Sequence, residues 1–117
     1  MIELNNVHPF VAAAEFAVRW LTLIARRNLA GAESLFDENT SGMELTKTFP
    51  ESGGVWFCEP ESIENWTFHI VGADSDGFSC EFEMPMDDPS FRPVVARFFM
   101  RFDDSTLSVE FTGAVPS

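Results

Sequence analysis

The reading of the fold turns on three segments between Phe78 and Phe111. They are Phe78-Ser79-Cys80-Glu81-Phe82-Glu83-Met84, then Ala96-Arg97-Phe98-Phe99-Met100-Arg101-Phe102, then Leu107-Ser108-Val109-Glu110-Phe111. Every second residue is apolar and most of those between are polar or charged. Only an extended chain, whose side chains point alternately to two faces, sorts such a pattern into one oily and one wet surface. Asp103-Asp104-Ser105-Thr106 is a tight polar turn, so the last two segments pair as a hairpin. Upstream, Trp66 to Val71 sets Trp, Phe and Ile against Thr, His and Val, and Asp74-Ser75-Asp76-Gly77 turns the chain into Phe78, which predicts another hairpin. Four antiparallel strands, each with a bulky apolar face, require helices on that face and leave the other to water or a partner.

The helices come first in the chain. Pro9 suits the first position of a helix, where its missing N–H costs nothing, and His8 is biased to the extended conformation of a cap. Phe10, Ala14, Ala17, Leu21 and Ile24 then recur at helical spacing, widened by Phe16, Trp20 and Leu23, while Glu15, Arg19, Thr22 and Arg26 take the opposite side. This helix is expected to end near Asn28, with Arg26 and Arg27 complementing its dipole. A second, short helix is expected over Leu29 to Phe36, followed by the turn-rich run from Asp37 to Gly42. Met43 to Phe49 reads as a short strand, Pro50 to Gly54 as a loop and Pro60 to Asn65 as one or two helical turns. The expected class is therefore α+β: one domain over residues 1–117, with N-terminal helices packed on a curved antiparallel sheet that ends in a four-stranded meander.

Composition removes several classes of function. The 117 residues carry seven Lys and Arg against nineteen Asp and Glu, a formal charge of −12, so no basic stripe exists to hold nucleic-acid phosphates. Thirteen Phe and three Trp supply a core that a charge-extended disordered chain lacks. No basic leader opens the chain, and Glu15 and Arg19 interrupt the apolar run from Phe10 to Ala25, so neither secretion nor membrane insertion is expected. Cys58 and Cys80 stand in no CxxC spacing, and with only His8 and His69 no multi-histidine metal centre can be built. The run Gly72 to Gly77 followed by Glu83 resembles part of a calcium loop. Glycine stands where the first aspartate is needed and strands flank it, so a hairpin turn is expected. We expect no metal, no cofactor, and thiols kept reduced in a cytoplasm.

The wet strand face carries His69 on the first strand of the meander, Glu81 and Glu83 on the second, Val95, Arg97, Phe99 and Arg101 on the third and Glu110 on the fourth. The loop Ala73 to Gly77 sets His69 opposite Glu81, a surface pair or a base with its orienter. Arginines between two rows of glutamates predict cross-strand ion pairs worth at most about 1 kcal/mol each. This mixed face is expected to join two copies into a homodimer. Between Glu33 and Glu64 lie eight acids and a lone Lys47, and Glu38, Glu44, Glu51, Glu59, Glu61 and Glu64 form a candidate acidic surface for a basic protein. Trp56-Phe57 reads as core, pocket rim or interface anchor.

The element order, with the text Trp20-Leu21-Thr22-Leu23-Ile24-Ala25-Arg26-Arg27-Asn28-Leu29-Ala30-Gly31-Ala32-Glu33-Ser34-Leu35-Phe36, resembles the nuclear transport factor 2-like (SnoaL-like) superfamily, as a small bacterial member. The resemblance implies a cone-shaped fold. The superfamily is similar only in architecture across isomerases, cyclases, ligand-binding domains, adaptors and immunity proteins, so fold does not choose among them. Its enzymes often use a Tyr donor beside a buried acid or histidine. This chain has no Tyr, and no catalytic residue is carried over. Two readings follow. The first is a non-enzymatic binding protein of the immunity or adaptor type that engages a basic partner. The second is an isomerase, cyclase or carrier for a small apolar ligand, held in a cone lined by Trp20, Trp66, Phe82, Phe98 and Met100.

Overall fold

His8 starts the first helix in the way its position before Pro9 predicts. Its backbone is extended, and its Nδ1 accepts the N–H of Phe10 at 3.1 Å, satisfying one of the helix's orphan donors. In the computed structural model of the chain, the described residues are 2–35, 56–60, 66, 68–88, 90 and 92–116. Helix α1 spans Pro9–Ala25 and α2 spans Leu29–Glu33, preceded by the two-residue strand β1 (Ile2–Glu3). Strands β2 (Phe68–Ala73), β3 (Gly77–Met84), β4 (Val94–Asp103) and β5 (Thr106–Pro116) follow. All five strands form one antiparallel sheet in the order β1-β5-β4-β3-β2, so the chain is α+β and its last four strands are a meander. No described helix is long and apolar enough to cross a membrane.

Helix α1 ends at Ala25, three residues before Asn28. Arg27 adopts φ +62°, and the N–H groups of Arg27 and Asn28 turn back to the carbonyls of Ile24 and Leu23. A left-handed residue closing the helix in this way is usually glycine. Asn28 then serves as a cap and not as the helix's last residue: its Oδ1 accepts the N–H of Gly31 at 2.9 Å and starts α2. Helix α2 is also shorter than expected. Ser34 closes it, and its hydroxyl bonds the Gly31 carbonyl at 2.6 Å, in competition with the helix ladder.

The buried stripe of α1 is Ala12, Ala13, Phe16, Ala17, Trp20, Leu21 and Ile24. It is rotated from the expected line, which ran through Phe10 and Ala14. Those two are half-buried at its margin, and Val11 and Val18 are exposed. The sheet face opposite supplies Phe78, Cys80, Phe82, Met84, Ala96, Phe98, Met100, Leu107, Val109 and Phe111, all buried. The alternation read from the sequence therefore points the apolar rows of β3, β4 and β5 at the helix. Trp56 and Phe57 complete this core, which settles them as interior residues.

Register follows the expected pairing with two local breaks. His69 stands opposite Glu81, which stands opposite Arg97. The ladder shifts between Ile70 and Gly72, and again where β5 meets Arg97 and Phe98. Such extra residues bend and twist a sheet. The β4–β5 pairing extends well past Phe111, to Pro116. The strand expected over Met43 to Phe49, the loop Pro50 to Gly54 and the turns over residues 61–65 lie outside the described residues.

Candidate functional site

The five residues expected to line a cone are differently placed. Trp20, Phe82, Phe98 and Met100 are at most 1 % exposed, so they are closed to solvent. The Trp20 ring meets Phe98 edge-on at 5.0 Å and Phe82 at 5.9 Å, and Phe82 stacks on Phe98 at 5.6 Å. Aromatic pairs at these separations add about 0.5–1.5 kcal/mol each beyond the area they bury. Trp66 lies at the edge of this group, half-exposed, with its ring 5.4 Å from Phe82 and its Nε1–H donating to the Glu83 carbonyl at 2.9 Å. Here the side chains themselves fill the space. No charged or polar residue among those described is buried, so this interior presents no acid or base to a substrate.

The open apolar surface lies elsewhere. A groove of 530 Å³ runs between α1 and β2, lined by Phe10, Val11, Ala14, Glu15, Val18, Phe68 and Ile70. Helix periodicity assigns Phe10 and Ala14 to the core stripe and Glu15 to the opposite side, and leaves Val11 and Val18 unassigned.

The thiols are ordinary structural cysteines. Both are free, and burial pushes the Cys80 thiol up to about 12, leaving it protonated and unreactive. Desolvation also raises Cys58, helped by its hydrogen bond to Asp87 at 3.4 Å and by that carboxylate's charge. No group of three or more His, Cys, Asp or Glu able to hold a metal ion occurs among the described residues.

The outer sheet face holds His69, Glu81, Glu83, Val95, Arg97, Phe99, Arg101 and Glu110, as the alternation requires. His69, Glu83, Arg97, Arg101 and Glu110 are exposed, and Glu81, Val95 and Phe99 are half-buried by their neighbours. Arg97 Nε donates to Glu81 Oε2 at 3.2 Å, the expected cross-strand pair. The Arg101 guanidinium sits 6.0 Å from the Phe99 ring centroid.

Of the candidate acidic surface between Glu33 and Glu64, Glu59 alone is among the described residues. Its Oε1 accepts from Arg26 Nε at 2.6 Å, which ties the segment 56–60 to the end of α1. Trp56 reinforces that tie by donating its Nε1–H to the Ile24 carbonyl at 2.7 Å under the Arg27 guanidinium, 4.7 Å from the ring. Glu38, Glu44, Glu51, Glu61 and Glu64 lie outside the described residues.

A second acidic surface is assembled by topology. The β2–β3 and β4–β5 turns emerge at the same end of the sheet, where Gly77 pairs with Arg101 and the Phe102 N–H donates to the Asp76 carbonyl at 2.9 Å. Glu3 and Asp103 both stand opposite Thr106, from either side of β5. Five exposed carboxylates, those of Glu3, Asp74, Asp76, Asp103 and Asp104, therefore share one end with the guanidinium of Arg101. Phe102 lies at the same end, 37 % exposed, its ring resting on buried Phe78 at 5.8 Å. Asp74, Ser75, Asp76, Phe99, Arg101 and Phe102 line a shallow depression there of 440 Å³. Sequence reading took these aspartates singly, as turn formers. The signal that joins them is the meander, which returns every second turn to the same edge.

Compared with protein-family models, with curated proteins and with solved structures, the chain gives no significant match.

Proposed function

We propose that this chain is a non-enzymatic, cytoplasmic protein-binding domain of the nuclear transport factor 2-like kind, and that it engages a basic protein. The observation that carries the reading is the acidic end of the sheet. An exposed aromatic ring at Phe102, beside Asp74 and Asp76 at an end of the sheet that also carries Glu3, Asp103 and Asp104, combines the two parts of an interface, an apolar anchor and charge nearby. Carboxylates so placed raise the encounter rate of a cationic partner and repel anionic ones. The rest of the chain supports the same reading. Its net charge is −12, and the Phe-rich space beneath α1, where a small-molecule enzyme would work, is closed by Trp20, Phe82 and Phe98.

The test is affinity capture from native lysate at low and at high salt, with the wild-type chain beside the triple variant Asp76→Asn, Asp103→Asn, Asp104→Asn. A basic protein is expected with the wild type at low salt, depleted at least tenfold by high salt and by the variant. Each surface acid removed weakens attraction without touching the core. Capture that ignores both salt and the variant overturns the reading.

A further inference from the structure

The apolar groove between α1 and β2 takes no part in the acidic end of the sheet. Val11, Ala14 and Val18 form one wall, at positions i, i+3 and i+7 of the helix, so they lie in a row along about two turns. Such a row is the seam by which one helix packs along another, and the small Ala14 at its middle permits close approach. Phe68 and Ile70 supply the other wall; they face inward, opposite buried Phe82 and Cys80. Both walls are fixed by the core behind them. Phe10 sets its ring edge-on to buried Phe78 at 4.9 Å, and Phe68 stacks on Phe82 at 6.4 Å. Val11 and Val18 nevertheless stay exposed.

We propose that this groove docks a basic amphipathic helix of another protein, laid along α1 with its apolar stripe on Phe68 and Ile70. Distances place it there. Helix α1 lies over β3 and β4, through Trp20 against Phe82 and Phe98, and β2 is the next and last strand on that side. A second helix packs about 8–10 Å from the first, which is about two strand spacings and sets it over β2. The ladder argues against an added strand. Its register shifts between Ile70 and Gly72, and a bulge bends an edge and blunts it as a template for pairing. Charge then selects the helix. Glu15, the single charged residue among those lining the groove, follows Ala14 and flanks the seam on the side away from the sheet. A lysine or arginine beside the apolar stripe of the incoming helix meets that carboxylate, and a chain of net charge −12 attracts the rest of a basic helix. A second copy would bring the same Glu15 and the same net charge, opposing like with like. The site is separate from the acidic end around Asp76 and Asp103, and it stands or falls without it.

Fluorescence polarisation of the full chain with two labelled synthetic peptides tests this. The first repeats Leu-Ala-Lys-Leu-Leu-Lys-Lys to about fourteen residues, a basic amphipathic helix. The second repeats Leu-Lys-Leu-Lys-Leu-Lys-Ala, which has the same composition and charge but the period of a strand. The helical peptide is expected to bind saturably and at least tenfold more tightly than the alternating one. The double variant Val11→Ser, Val18→Ser changes exposed positions, keeps the net charge and leaves the core intact, so its urea midpoint serves as the folding control. It is expected to weaken the helical peptide at least tenfold, and Glu15→Gln to weaken it severalfold. The triple variant Asp76→Asn, Asp103→Asn, Asp104→Asn is expected to bind it within about twofold of wild type, which separates this site from the acidic end. Equal binding of the two peptides overturns the proposal, as does binding indifferent to the folded valine variant. So does sedimentation showing a wild-type dimer that the valine variant dissolves, because the groove then holds a second copy.

Discussion

Cys80 shows how burial alone sets the chemistry of one residue. Its thiol is 1 % exposed among Phe-rich neighbours, and desolvation holds its pKa at about 12, against an ordinary 9.0. Because the folded value is the higher one, the folded chain keeps a proton that the unfolded chain surrenders. The resulting stability is complete below pH 9.0 and drains as pH rises from there toward 12. While only the unfolded thiol is ionised, the loss is about 1.4 kcal/mol per pH unit. Urea midpoints measured across that window are expected to fall less steeply in Cys80→Ala than in the wild type, although the variant starts lower because it leaves a small cavity. Cys58, shifted in the same direction, keeps a part of the slope in the variant. Equal slopes in the two proteins would contradict this account.

At the scale of elements, the β2–β3 hairpin depends on one close approach. A methyl group at Gly77 would collide with the Met100 carbonyl oxygen on β4, which is backbone and cannot rotate away. At Gly72, on the same hairpin, the equivalent methyl meets open space. Gly77→Ala is therefore expected to cost about 1–3 kcal/mol in urea unfolding. Gly72→Ala should lie within about 0.5 kcal/mol of wild type. Periodicity made the hairpin itself visible, because Asp74 and Gly77 bracket a turn and Phe78 begins a strict alternation. The Asx turn inside it, with Asp74 Oδ1 accepting the N–H groups of Asp76 and Gly77 at 2.8 and 3.1 Å, is what aspartate does locally. The close contact at Gly77 was not visible, since it comes from a strand more than twenty residues away. Strand β1 escaped notice for a related reason: two residues carry no period, and Ile2 and Glu3 are held by pairing with Leu107 and Thr106.

For the whole molecule, stability is expected to be graded from the centre of the sheet outward. Strand β4 is bonded on both sides, by β3 and β5, and its inward row of Ala96, Phe98 and Met100 has no more than 1 % exposure. Strand β1 is an edge of two residues. Native-state hydrogen exchange should find the slowest amides in β3 and β4 and fast exchange at Ile2 and Glu3. Protection in β1 equal to that of β4 would mean that the sheet opens only as a unit. The long helix lies against the same central strands through Trp20, so its middle turns should share their protection while the short α2 exchanges earlier.

The sequence by itself determined the α+β class, the meander and which row of each strand is oily, because the period of two and the period of 3.6 are local properties that the chain carries wherever it folds. It also determined the cap at His8 and the face that holds Arg97 and Glu81. Tertiary structure decided the rest. Whether the aromatic rows leave a cavity or close it depends on how Trp20 from the helix meets Phe82 and Phe98 from two strands, a matter of shape between segments distant along the chain. The gathering of Glu3, Asp76 and Asp103 at one end of the sheet is likewise a product of strand order, since only the folded sheet brings these three separate stretches of the chain together.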